Sequence, residues 1–142
     1  MDQCAFYTTC LESRYACGPT GYPLAYGHKF CQMFTDQRNK LDAKGQQWML
    51  DTMHCLQLFL VPDAIDARPT TCAALKDEAF GSHARCYTRN GFCTLGVHDW
   101  AAVLEIVDIT TLFSSWDAFK ATIEATADCA EFYEYMVERG MF

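Results

Sequence analysis

Nine cysteines are spread along the 142 residues, at Cys4, Cys10, Cys17, Cys31, Cys55, Cys72, Cys86, Cys93 and Cys129, and no two form a C-x-C or C-x-x-C pair. Thiolate zinc sites and thioredoxin-type redox centres use such close pairs, so neither is expected. Dispersed cysteines predict disulfides, and disulfides predict an oxidising compartment. The count is odd, so at least one thiol is free or pairs with another chain. The opening MDQCAFYTTC has neither a basic n-region nor an apolar h-region. A secreted chain whose signal peptide has been removed is therefore the expectation.

Hydrophobic residues make up 51 % of the sequence and aromatics 14 %. That is enough for a real core, and it excludes disorder as a description of most of the chain. The length suits one domain, residues 1–142. No apolar run reaches the roughly 18 residues a membrane span needs. The formal charge of −7 repels phosphate backbones, so a nucleic-acid partner is not expected. The charge is compatible with calcium or a cationic partner, but it requires no cofactor.

Apolar residues recur at helical spacing, and no long alternating strand is present. The expectation is an all-α, compact, disulfide-linked domain of about five to six helices. Cys4, Phe6, Tyr7, Cys10 and Leu11 predict a short first helix. The Gly- and Pro-rich stretch from Cys17 to Pro23 predicts a loop, and residues 24–41 a second helix. Residues 43–61 predict a third, with Trp48, Thr52, Cys55 and Phe59 in one stripe and Pro62 as its end. A fourth opens at Pro69-Thr70-Thr71, carries Cys72, Leu75, Ala79 and Cys86, and closes at Asn90-Gly91. Asp99 is the predicted N-cap of a fifth, through Trp100, Val103, Leu104 and Val107. Ser114 and Asp117 are spaced as a capping box for a sixth, which presents Phe119, Ile123, Cys129, Phe132 and Met136.

The cysteines and their surroundings resemble the stanniocalcins, secreted glycoprotein hormones linked to calcium and phosphate balance. The likeness runs through Cys10-Leu-Glu and Cys17, Tyr26 to Cys31 with Phe34, and Leu41-Asp42 with Gly45. It continues through Cys55, Cys72, Cys86-Tyr87, Cys93, the run from Val103 to Val107, and Cys129. It spans about Cys4 to Val137. The resemblance implies the pairs Cys4–Cys31, Cys17–Cys72, Cys55–Cys86 and Cys93–Cys129, with Cys10 unpaired. It also implies a hormone-like protein that works on a protein partner such as a receptor or a secreted protease, for instance a pappalysin-type metalloproteinase. The sequence differs from the family in having no Asn-x-Ser/Thr glycosylation acceptor and no counterpart, up to Phe142, of the C-terminal cysteine that joins two chains.

Two other function classes have candidate residues. His98-Asp99 faintly resembles the centre of secreted phospholipases A2, where a histidine activates water and the adjacent aspartate helps hold calcium. Asp128 would then orient the histidine, yet no Gly-rich calcium loop precedes it. The bland reading makes Asp99 a helix cap and His98 a surface residue. A carrier or cyclase would need an interhelical pocket lined by residues such as Trp48 and Trp100. His28, His54 and His83 lack ligand spacing, and no Ser, Thr or Cys stands in a nucleophile elbow.

The leading expectation is a binding protein rather than an enzyme. Its candidate partner-binding residues are Tyr15, Tyr22 and Tyr26, around the Pro-Gly loop, and the acidic strip Glu131, Glu134 and Glu138. Tyrosines are favoured at interface centres, but the same cluster also suits the lid of a small core. The acidic strip, with Asp128, reads either as a solvated helix side or as a landing surface for a basic partner.

Overall fold

The computed structural model describes residues 3–65, 70–107 and 116–142. Every regular element among them is helical, and no described helix is long and apolar enough to cross a membrane. Helix α1 is wound as a π-helix over Phe6–Glu12 and continues through Ser13–Tyr15. Helix α2 is again π-helical over Pro23–His28 and runs on through Lys29–Asp36. After a 3₁₀ turn at Arg38–Lys40 come α3 (Ala43–Ala64) and α4 (Cys72–Arg89). A second 3₁₀ turn at Phe92–Thr94 leads into α5 (Val97–Ile106), then α6 (Trp116–Ala125) and α7 (Ala130–Glu138).

Local chemistry sets most of these ends. The Asp42 carboxylate accepts the Gly45 N–H and caps α3, and the Thr71 hydroxyl accepts the Ala74 N–H and caps α4. Gly91 follows α4 with a left-handed φ of 89°, a conformation that costs glycine nothing. Pro23 stands at the first position of α2, where its missing N–H is not needed. The Glu12 carboxylate accepts both the Cys17 and the Gly18 N–H, which shapes the loop after α1.

Three sequence expectations are corrected. Pro62 does not end α3, which continues to Ala64. The second helix stops at Asp36 and gives way to the 3₁₀ turn instead of reaching residue 41. The predicted last helix is two helices, separated at residues 126–129, so seven helices stand among the described residues. The Ser114 part of the predicted capping box lies outside the described residues.

Helices α3 and α4 pack together as the centre of the molecule, and α1 and α2 pack on one another beside them. The core is a chain of rings. Trp48 meets Tyr87 and Phe92, each at 5.1 Å between centroids, Phe92 meets Phe132 at 4.8 Å, and Trp100 joins Phe132 at 5.2 Å. Both indole N–H groups are satisfied inside, Trp48 donating to the Tyr87 carbonyl and Trp100 to the Phe92 carbonyl. Four disulfides hold this arrangement: Cys4–Cys31 joins the turn just before α1 to α2, Cys17–Cys72 joins the first loop to α4, Cys55–Cys86 joins α3 to α4, and Cys93–Cys129 joins the second 3₁₀ turn to the start of α7. Cys10 is a free, exposed thiol on α1.

Candidate functional site

The tyrosines around the first loop have different fates. Tyr22 is 2 % exposed, with its ring stacked on Tyr26 and edge-on to Tyr7 and Phe80. It belongs to the core, which corrects its place among the partner-binding candidates. The reason is tertiary: α1 and α4 close over a ring that the local sequence leaves at the end of a loop. Tyr15 is half-buried, and its hydroxyl donates to the Asp63 carbonyl at 2.6 Å, so it works as a strut between α1 and α3. Tyr26 alone of the three combines a half-buried ring with a surface groove.

That groove lies between α2 and α5 and encloses about 520 Å³. Tyr26, Phe30 and Met33 line it from α2, Ile106 from α5, with Lys29 and Glu105 at its rim. Two ammonium groups sit over its rings, Lys29 at 5.5 Å from Phe30 and Lys76 at 5.3 Å from Tyr26. Lys40 pairs with Glu105 at 2.9 Å on the same side. The spacing of Tyr26, Phe30 and Met33 in steps of four and three residues puts them on one helix face, a signal legible in the sequence. The α5 wall was not legible, since only packing brings Glu105 and Ile106 to it.

The acidic side chains at Asp128, Glu131, Glu134 and Glu138 are all exposed, the last three along α7. Glu131, Glu134 and Glu138 stand on a different helix from the groove residues.

The phospholipase-like residues do not assemble as that reading requires. His98 is exposed, while Asp99 is 1 % exposed and turned inward. Asp99 is not the N-cap of α5: Gly96 holds that position, and Asp99 stands two residues inside the helix. Its Oδ1 instead accepts the Asp42 N–H at 3.0 Å, and its carboxyl lies against the Gly45 backbone. Asp128 is exposed in the link between α6 and α7, and no described hydrogen bond joins it to His98. An aspartate committed to the start of α3 does not face a solvent-side calcium loop. Burial, aided by the neighbouring Asp42 carboxyl, raises the Asp99 pKa, whereas the Gly45 N–H first and Asp99 second hold Asp42 low.

A small pocket of about 30 Å³ lies among α1, α2, α3 and α4, lined by Tyr7, Tyr22, Tyr26, Phe30, Trp48 and His83 among others. It has room for roughly one water molecule and is far below the roughly 300 Å³ at which ligand pockets begin. Trp100 is not in its wall, being packed on Phe132 and Tyr135. The two tryptophans of the carrier reading therefore do not share a pocket. Burial raises the hydroxyl pKa values of Tyr7, Tyr22 and Tyr87, which keeps them neutral. His83 is buried, His28 half-buried and His54 exposed, and no group of three or more His, Cys, Asp or Glu among the described residues is placed to hold a metal.

A search of curated proteins finds no match to the chain, and neither does a search of solved structures. The model of the Stanniocalcin family matches residues 3–142. An all-helical, four-disulfide domain matched over nearly its whole length leaves one conclusion: the chain belongs to the stanniocalcin family.

Proposed function

We propose that this protein is a secreted, hormone-like regulator that acts by binding another protein, with the α2–α5 groove as its principal contact. Family membership supports a secreted hormone-like role, and the four disulfides fit an oxidising compartment. The observation that carries the reading is the groove itself: an aromatic and thioether centre from Tyr26, Phe30 and Met33, rimmed by Lys29 and the Lys40–Glu105 pair. Interfaces draw their energy from such desolvated aromatic centres, while the charged rim steers approach.

The partner class is a secreted protease or receptor, and inhibition of a pappalysin-type metalloproteinase is the concrete version. A role in calcium and phosphate balance would follow from the same contact. The acidic strip Glu131, Glu134 and Glu138 is a second, electrostatic contact for a basic part of that partner.

The test is inhibition of a purified pappalysin-type proteinase by the intact chain, read as cleavage of a protein substrate. Tyr26→Ala with Phe30→Ala should weaken inhibition at least about tenfold at every salt concentration, the loss of one good aromatic anchor. Glu131→Gln, Glu134→Gln and Glu138→Gln together should weaken it chiefly at low ionic strength. Failure of the intact chain to inhibit overturns the protease version. Inhibition indifferent to Tyr26 and Phe30 overturns the groove as the contact.

A further inference from the structure

The start of α3 is tied to α5 and the turn before it by four contacts. The Lys40 ammonium pairs with Glu105, the Lys44 ammonium donates to the Thr94 carbonyl at 2.7 Å, the Asp42 N–H donates to Asp99, and Gly45 packs on the Asp99 carboxyl. Three of these are ordinary. The hydrogen bond from Asp42 brings two acids together: Asp42, which caps α3, and Asp99, buried on the first turn of α5. Asp99 Oδ1 has its donor in the Asp42 N–H, but Oδ2 is buried with no hydrogen-bond partner from the protein. A buried carboxylate oxygen without a donor is costly, and a second carboxylate beside it makes it more so.

We infer that Asp42 and Asp99 share one proton, and that this proton is a pH-sensitive latch between α3 and α5. The proton comes from solvent and resides on Asp99 Oδ2, which then donates to the Asp42 carboxylate. Asp42 stays ionised because the Gly45 N–H already stabilises its charge at the helix N-terminus. The other charged groups near the pair are His98, exposed beside Asp99, the Lys44 ammonium held on Thr94, and the Lys40–Glu105 ion pair. No cation among them donates a described hydrogen bond to Asp99.

The sign follows from linkage. Asp99 has its folded pKa raised, so its contribution to closure is complete below the ordinary carboxylate range and is lost as pH rises through the folded value. Asp42 has its folded pKa lowered, so its contribution persists above the ordinary range and is lost only in stronger acid. The junction is tightest between the two, with Asp42 ionised and Asp99 protonated. Because α5 carries Glu105 and Ile106, loosening this junction also shifts one wall of the α2–α5 groove. The latch stands whether or not that groove binds a protein.

The test is carboxyl ¹³C NMR of the intact chain across pH, with hydrogen exchange at the Asp42 amide. Asp99 is expected to titrate above the ordinary carboxylate range. Protection of the Asp42 amide, corrected for intrinsic exchange, should fall by up to about tenfold per pH unit between the ordinary carboxylate value and that of Asp99, as one proton dictates, and level off above it. Asp99→Asn, which keeps the acceptor and supplies a permanent donor, should make this protection independent of pH. An Asp99 resonance in the ordinary range, or flat wild-type protection, overturns the latch. So does recovery of protection at neutral pH on adding calcium, which would make the pair a cation site.

Discussion

At Gly45 the absence of a side chain does structural work. A Cβ there would come within 2.6 Å of the Asp99 carboxyl carbon, and α3 and α5 would have to part. Gly45→Ala is therefore expected to cost about 1–3 kcal/mol, the usual range for overpacking, with loss of amide protection in the first turn of α5. A urea melt that placed it within a few tenths of wild type would contradict that contact. Gly81 is the opposite case: it lies within α4, is exposed, and a Cβ there meets nothing within 4 Å. Gly81→Ala should stabilise the protein by about 0.4–1 kcal/mol, since alanine restricts only the unfolded chain. Tyr15→Phe removes the hydroxyl donated to Asp63 and should cost about 0.5–1.5 kcal/mol. Thermal melts of Gly81→Ala and Tyr15→Phe should therefore move in opposite directions.

The helices follow their sequence signals wherever the signal is local. Thr71 caps α4 as its position before an apolar-periodic run predicts, and Thr71→Ala should cost about 0.5–2 kcal/mol. Fraying of the first turn of α4, followed by exchange of the Leu75 amide that bonds the Thr71 carbonyl, is the measurement. Signals failed where a neighbouring element overrode them. Pro62 lacks the N–H that would reach the Leu58 carbonyl, but Leu58 is 55 % exposed, and one missing bond so close to its end does not stop the helix. The helix therefore runs on to Ala64, delivering Asp63 to Tyr15. Asp99 has the right residue type for a cap, yet Gly96 with φ of 111° starts the helix earlier and frees Asp99 for α3.

Across the molecule, the bridges couple segments that the chain separates widely. Cys17–Cys72 closes the longest separation, 55 residues, and Cys4–Cys31 the shortest, 27. Replacing either pair by serine should cost about 2–4 kcal/mol, largely by releasing the unfolded chain. The doubling of loop length makes the Cys17–Cys72 pair more costly to lose by only about 0.6 kcal/mol. Urea midpoints of the two double variants therefore should nearly coincide. A much larger gap would show that one bridge also fixes local packing, for which Cys4–Cys31, at the α1–α2 contact, is the candidate.

The all-helical class and the approximate extent of most helices were legible because helical periodicity, prolines, glycines and capping residues act within a few positions of one another. What the sequence left open was the fate of side chains that wait on a distant element. Tyr22 could face a partner or the core until α1 and α4 closed over it. Trp48 and Trp100 could share a pocket until Phe92 and Phe132 came between them. Asp99 could cap its own helix or serve another until Gly45 allowed α3 to approach within contact of its carboxyl. These choices are made by packing between residues tens of positions apart, where no local propensity reaches and only the folded chain sets the distance.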